Sequence, residues 1–142
     1  MQEWALWALA SAVFAALTAI FAKVGLEGID SNFATFIRTL VIAAALVLFL
    51  TYAKKWQPLG ELSARNWLFL TLSGLATGAS WLAYFKALQM GSASQVAPID
   101  KLSVVLVVVF AIIFLGERPS FREWIGIALI ASGVFTLVFA DK

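Results

Sequence analysis

Two charged residues, Arg38 and Asp100, lie inside stretches of sequence that are otherwise apolar. Charged side chains in such surroundings are costly unless they pair with each other, face water or bind a substrate. Each lies four or five residues past the start of its stretch, which is about 6–8 Å along a helix. The matching depth predicts either an Arg38–Asp100 ion pair that borders a cavity or direct contact between Arg38 and an anionic substrate. Asp100 is also the candidate for proton coupling, although basic neighbours favour its ionised form.

A second set of polar side chains follows the spacing of one helix face in the third apolar stretch, and a smaller set does so in the first. Hydroxyl groups in membranes either line a polar pathway or bond neighbouring helices, and both interpretations stay open. The expected pathway residues are Ser73, Thr77, Trp81 and Tyr84 in the third stretch and Ser11 and Thr18 in the first.

Three lysines lie near the ends of apolar stretches, at the same predicted boundary as Arg38. Such side chains commonly extend to the headgroups, which is the simplest interpretation of Lys23 and Lys86. Basic groups nevertheless outnumber acidic ones at this end, so a cavity opening there would favour a carboxylate or phosphate over a simple cation. The rim lysines are Lys23, Lys86 and Lys101.

Cysteine and histidine are absent, which removes thiolate nucleophiles, imidazole bases and the usual ligands of zinc, copper and haem. The sequence also contains no phosphate-binding loop and no nucleophile with a neighbouring base. The net charge of +2 is small and spread over the loops, so nucleic-acid binding is not indicated. We therefore expect no enzyme activity, no cofactor and no bound metal.

The composition shows which elements must position these residues. Hydrophobic residues make up 63% and charged residues 13% of the 142 positions, and the mean hydropathy is +0.96. Soluble domains have about 45–50% apolar and about 25% charged residues. A membrane-spanning helix needs about 20 apolar residues. We predict an all-α membrane protein with five spans: Trp4 to Val24, Phe33 to Ala53, Trp67 to Leu88, Val96 to Leu115 and Phe121 to Ala140.

The fourth predicted span carries a signal for the start of a helix. Ser94 is expected to cap the helix, and Pro98 would then lie in its first turn, where the missing N–H costs little. One continuous helix up to Leu115 follows from this interpretation.

The connections predict an orientation for the spans. Basic residues near span ends favour the cytoplasmic side. Five of them lie on the side shared by the N-terminus and by the second and fourth connections, so the N-terminus is expected in the cytoplasm. They are Lys54, Lys55, Arg65, Arg118 and Arg122.

An odd number of spans places the two ends on opposite sides, so a second copy joined in sequence would insert upside down. Inverted repeats of this kind build alternating-access carriers. The 142 residues contain no internal repeat. We therefore interpret residues 1–142 as a single five-helix domain, one repeat unit whose partner is another chain.

Three segments resemble the EamA-type transporters of the drug/metabolite transporter superfamily. They are AYFKAL at residues 83–88, APIDKLS at residues 97–103 and LGER at residues 115–118, the last followed by a glycine-containing span. With Arg38 in the second span, the resemblance covers essentially the whole chain. It implies a carrier of small metabolites with a central cavity between two inverted five-helix halves. One half alone implies an antiparallel homodimer of ten helices or a pairing with a separate homologous chain.

We therefore expect a secondary transporter of small polar or amphipathic metabolites, amino-acid-like or anionic and zwitterionic, that works by alternating access. The expected partners are the lipid bilayer, a second copy or a homologous chain, and a small-molecule substrate. The compact form suits a prokaryotic inner membrane. Two alternatives stay open: a non-transporting membrane assembly or regulatory subunit, whose buried charges only hold helices together, and a subunit of a flippase for lipid-linked substrates.

Overall fold

The computed structural model describes residues 3–139, and this part of the chain contains helices and no strand. Five helical segments are long and apolar enough to cross a membrane, which confirms the predicted all-α membrane fold. A 3-10 turn at Leu59–Glu61 precedes the third span, and a π-helical segment at Ala111–Leu115 completes the fourth. The predicted end of the fifth span, Ala140, lies outside the described residues. The helices are α1 (Glu3–Gly25), α2 (Ser31–Tyr52), α3 (Ala64–Met90), α4 (Ala93–Asp100), α5 (Ser103–Phe110) and α6 (Phe121–Val138).

Side-chain caps set where two of the helices begin. At the start of α2, Asp30 Oδ1 accepts hydrogen bonds from the backbone N–H groups of Asn32 and Phe33, at 2.9 and 3.1 Å. At the start of α6, Ser120 and Glu123 form a capping box in which each side chain accepts the other residue's backbone N–H. These contacts satisfy amides that have no partner within the helix.

The fourth span is a single helical segment, Ala93–Leu115, as predicted, but it tightens in the middle. Between α4 and α5, the N–H groups of Lys101 and Leu102 donate to the carbonyls of Pro98 and Ile99 at 3.0 Å, which are the three-residue turns of a 3-10 helix. Both residues keep right-handed helical backbone angles. Pro98 lies inside α4 and has no N–H to donate to the carbonyl one turn earlier.

The prediction that Ser94 caps this helix is wrong. α4 begins at Ala93, so Ser94 is already helical, and the preceding residue Ser92 has the extended backbone of a cap position. The hydroxyl of Ser92 bonds Oε1 of Gln95 at 2.8 Å instead of a backbone amide. The earlier start moves Pro98 from the first turn to the helix interior, where it cannot donate to the carbonyl of Ser94.

The chain divides into two compact bodies, and the first is Ile20–Met90, which contains the last turns of α1 together with α2 and α3. Within it, α2 packs against α3. The buried side chains come from the connection before α2, from the start of α2 and from the end of α3. They are Leu26, Ser31, Thr35, Phe85 and Leu88. The packed core of this body therefore lies at the end where α2 begins and α3 finishes.

The second body contains the described residues 3–19 and 91–139. Within it, α4 and α5 pack against α6, and Val134 of α6 is buried. Most of its large apolar side chains are exposed. Apolar surface of this kind is stable when lipid or another apolar chain covers it.

Candidate functional site

Arg38 lies in α2, and its guanidinium stacks on two aromatic rings of α3. Its Cζ atom is 4.2 Å from the centroid of the Trp81 ring and 5.0 Å from that of Phe85. The two rings are four residues apart in sequence, so α3 presents both on one face. A cation above ring faces gains about 0.5–2 kcal/mol from their quadrupoles. This contact fixes the position of the charge within the span.

The N–H edge of Arg38 is not used by this contact. Among residues 3–139, no hydrogen bond or ion pair joins the guanidinium to another residue. A guanidinium carries five N–H donors in a planar fork that matches a carboxylate or a phosphate. Arg38 is half-buried, so one side of it remains accessible. It can therefore donate hydrogen bonds to an anion while it stays in contact with the rings.

The predicted polar face of α3 has a packed part and an exposed part. Trp81 and Tyr84 are half-buried, and the Tyr84 ring meets Phe85 edge-on with 6.4 Å between the ring centroids. Ser73 and Thr77 are exposed. Thr77 Oγ1 donates to the carbonyl oxygen of Ser73 at 2.9 Å, which leaves the hydroxyl oxygen available as an acceptor. The hydroxyls of Thr77 and Ser73 therefore extend the polar face along α3. Thr77 lies about 6 Å from Trp81 along the helix axis.

Two hydrogen bonds tie the end of α3 to the end of α1 and to the loop that follows α1. Lys23 Nζ donates to the carbonyl oxygen of Leu88 at 2.7 Å, and Gln89 Nε2 donates to the carbonyl oxygen of Ile29 at 2.9 Å. Carbonyls of a last helical turn lack partners within the helix, and the helix dipole also favours a cation there. Lys23 thus contacts protein instead of only extending toward headgroups, whereas Lys86 is exposed.

The second body holds the remaining predicted site residues. Asp100 Oδ2 and Lys101 Nζ form an ion pair at 3.3 Å, where the fourth span tightens between α4 and α5. In α1, Thr18 is half-buried and Ser11 is exposed. Because Arg38 and Asp100 belong to different bodies, the predicted ion pair between them stays a prediction.

Two contributions to this site were missed by the sequence analysis. Phe85 is apolar and lies beside the row of hydroxyls, so a search for polar side chains passes over it. Its position one helical turn after Trp81 is the signal that identifies it. The carbonyl of Leu88, which accepts from Lys23, is a backbone group, and no pattern of side-chain types points to it.

A match over nearly the whole chain decides the family. The EamA-like transporter family matches residues 2–139. The chain belongs to this family. The structure agrees with the five-helix half that the resemblance predicted, since five segments of the described chain are long and apolar enough to span a membrane.

Two relatives of this EamA-like protein carry transporter names. "Uncharacterized transporter in cobO 3'region" from Sinorhizobium sp is 55% identical over 136 residues, which are 96% of each chain. "Uncharacterized transporter YxxF" from Bacillus subtilis (strain 168) is 28% identical over 135 residues, which are 94% of this chain and 42% of that relative. No solved structure matches the chain.

The EamA-like protein is therefore an integral membrane protein of a transporter family. Its family and the names of its relatives indicate transport rather than enzymatic catalysis. Within residues 3–139, no three His, Cys, Asp or Glu side chains are grouped so that they could hold a metal ion.

Proposed function

We propose that the protein is a secondary transporter that moves small anionic or zwitterionic metabolites, amino-acid-like compounds among them, by alternating access. The observation that carries this proposal is the guanidinium of Arg38. Its Cζ atom lies over the Trp81 ring, 4.2 Å from the centroid, within a membrane-spanning helix, and its N–H groups make no hydrogen bond to another described residue. A charged group inside a span pairs with another charge or marks a substrate path, and this one has no counter-ion in its own body.

The arrangement around Arg38 suits a substrate that has both a carboxylate and an apolar part. The guanidinium fork takes the carboxylate or a phosphate through two parallel hydrogen bonds, which are stronger and more directional than a single neutral one. The indole of Trp81 offers apolar surface beside that anion site. Beyond it, the hydroxyls of Ser73 and Thr77 solvate polar groups as the substrate moves along α3.

The second body carries its own set of proposed pathway residues. Asp100 lies inside the fourth span, at the end of α4, and charged side chains inside spans commonly mark substrate or ion paths. We assign Asp100 the role of exchanging its present partner, Lys101, for the ammonium group of a zwitterionic substrate. Ser11 and Thr18 lie on one face of α1, and we assign their hydroxyls to the lining of the substrate pathway in the second body.

The proposed working form is an antiparallel homodimer in a bacterial inner membrane, with the N-terminus cytoplasmic in the favoured orientation. The five spans support this proposal. A carrier of this kind needs two inverted halves, and a single five-span unit obtains the inverted half from a second chain inserted in the opposite orientation. The Bacillus subtilis relative supports it as well, since this chain matches only 42% of that longer protein. Both matched relatives come from bacteria.

Flux through reconstituted protein tests the role of Arg38. Proteoliposomes are loaded with radiolabelled amino acids and short carboxylates, and efflux is compared between wild type, Arg38→Lys and Arg38→Gln. We expect wild-type flux of at least one carboxylate. Arg38→Lys should lower it, and Arg38→Gln should lower it by roughly tenfold or more, because the bidentate charge-assisted contact is lost.

Arg65→Gln is the matched control for this experiment. Arg65 is also an arginine above an aromatic ring of α3, at 5.8 Å from the Phe69 centroid, but it lies in the first turn of the helix. Its replacement should leave flux unchanged. Flux that is equal in wild type and Arg38→Gln, or flux of hydrophobic cations alone, would overturn the proposal.

A further inference from the structure

We propose that a groove between α5 and α6 binds one phosphatidylethanolamine molecule, with Arg118 contacting the lipid phosphate and Glu117 contacting its ammonium group. This α5–α6 groove lies wholly within the second body. It is separate from the aromatic contact of Arg38, and the proposal does not depend on which substrate is carried.

The groove has an apolar floor and a charged rim at one end. Its volume is about 600 Å³. The apolar part extends along both helices, so that on α6 it reaches about 10 Å from Glu123 to Ile130. An acyl chain lying along the helices would cover this floor. The residues that matter here are Val107, Ala111, Ile127 and Ile130 on the floor and Glu117 and Arg118 at the rim.

The two rim charges are available to a ligand. Glu117 and Arg118 are exposed, and neither side chain makes a hydrogen bond or ion pair with another residue in the described range 3–139. A third rim residue, Glu123, already accepts the backbone N–H of Ser120. The rim therefore presents one free cation and one free anion side by side, in the connection that follows the fourth span.

This pair of charges matches the headgroup of phosphatidylethanolamine. Its phosphate fits the guanidinium fork of Arg118, and its primary ammonium can donate hydrogen bonds to the Glu117 carboxylate. A phosphatidylglycerol headgroup offers no cation to Glu117. The quaternary ammonium of phosphatidylcholine has no N–H to donate. Charge pairing thus favours the ethanolamine headgroup over phosphatidylglycerol, and hydrogen bonding favours it over phosphatidylcholine.

A helix from a second copy is the other occupant to consider for the groove. An apolar helix seated there would cover Glu117 and Arg118 without supplying partners of matching charge. Burying unpaired charges is unfavourable, because their hydration is lost and not replaced. A lipid avoids this cost, since its headgroup pairs with the rim while its chain covers the apolar floor.

Lipid retention on the purified full-length protein tests the proposal. Protein in detergent is equilibrated with equal amounts of phosphatidylethanolamine, phosphatidylglycerol and phosphatidylcholine, and the retained lipid is counted by native mass spectrometry. We expect preferential retention of one phosphatidylethanolamine. Arg118→Gln should weaken it roughly tenfold, as expected when a charge-assisted hydrogen bond is lost. Glu117→Gln should abolish the preference over phosphatidylglycerol.

Two further variants keep the test specific. Arg122→Gln removes an equal charge from α6 outside the groove lining and should leave retention unchanged. Gly126→Leu should reduce retention of every lipid by filling the groove, where an added Cβ meets nothing within 4 Å. Equal retention in Arg118→Gln and Arg122→Gln would overturn the proposal. So would a Gly126→Leu protein that keeps its lipid but loses its dimer, since a second copy would then occupy the groove.

Discussion

Arg38 owes its position to aromatic ring faces, and this has a direct chemical consequence. A counter-ion in the same body would take the N–H donors of the guanidinium, whereas the rings of Trp81 and Phe85 hold the group without accepting a hydrogen bond from it. The charge is therefore held in place without using the donors that an anionic ligand needs. This arrangement of one residue is the basis of the proposed substrate preference.

Replacing the two rings tests what each contributes to binding and to folding. The contact between Trp81 and Arg38 lies within the folded protein, so Trp81→Leu should lower the free energy of unfolding by about 1 kcal/mol. It should also raise the KM for a carried carboxylate roughly fivefold, because the guanidinium is no longer held in position for binding. Phe85 is buried, and Phe85→Ala should lower the free energy of unfolding by about 3 kcal/mol. Flux kinetics and thermal unfolding in detergent measure the two effects. An unchanged KM in Trp81→Leu would contradict the role of the indole.

Lys23 should contribute to stability through its bond to the end of α3. Lys23→Met keeps the apolar stem but removes the donor to the Leu88 carbonyl, so the free energy of unfolding should fall by about 1 kcal/mol. Lys86→Met is the control, because Lys86 is exposed and bonds no residue in the described range. Thermal unfolding curves of the two variants give the comparison. Equal midpoints would show that the bond adds nothing.

Part of this site could be predicted from side-chain types alone. Helical spacing placed Trp81 and Tyr84 on the same face of one helix, and the structure has them together near Arg38. The role of Phe85 was not predicted, because its side chain is apolar and the pattern consists of polar groups. The hydrogen bond from Lys23 was not predicted, because its acceptor is a backbone carbonyl. Residue types predict which chemistry is present, but ring faces and backbone acceptors appear only in three dimensions.

At the scale of the element, the fourth span shows how a shift of a few residues changes a helix. The sequence placed its start at Val96, where a proline two residues later is harmless. In the structure α4 starts at Ala93, so Pro98 is interior, and the span tightens to 3-10 turns at Lys101 and Leu102. The hydropathy pattern cannot detect this tightening, because α5 continues the same apolar run.

The end of the fourth span requires a glycine at position 116, and this requirement can be tested. Gly116 follows the π-helical segment with φ of 69°, a left-handed conformation, and its N–H donates to the Ala111 carbonyl. Gly116→Ala should lower the free energy of unfolding by about 1 kcal/mol, since a Cβ is strained there. Gly60→Ala is the control. The φ of Gly60 is not positive, and a Cβ added there meets nothing within 4 Å. Thermal unfolding that ranks Gly60→Ala as the more damaging change would contradict this account of the turn.

At the scale of the whole molecule, hydropathy predicted the number and order of the spans, and the structure agrees. Hydropathy predicts the spans well because each has at least 18 residues, enough to cross a bilayer, and the connections are short. The identity of the partner could not be predicted in the same way. A lipid-facing surface and a helix-facing surface are both apolar, so composition does not distinguish them.

Orientation in the membrane is the most direct test of the central claim, that this five-helix unit works with an inverted second copy. The sequence contains no cysteine, so a single one placed beside Lys142 reports one site only. Its reaction with a membrane-impermeant thiol reagent is measured in intact and in opened cells. Our account predicts that about half of the molecules react from outside and the rest only after opening, because an antiparallel homodimer contains both orientations equally. Reaction of every molecule from the same side would contradict it.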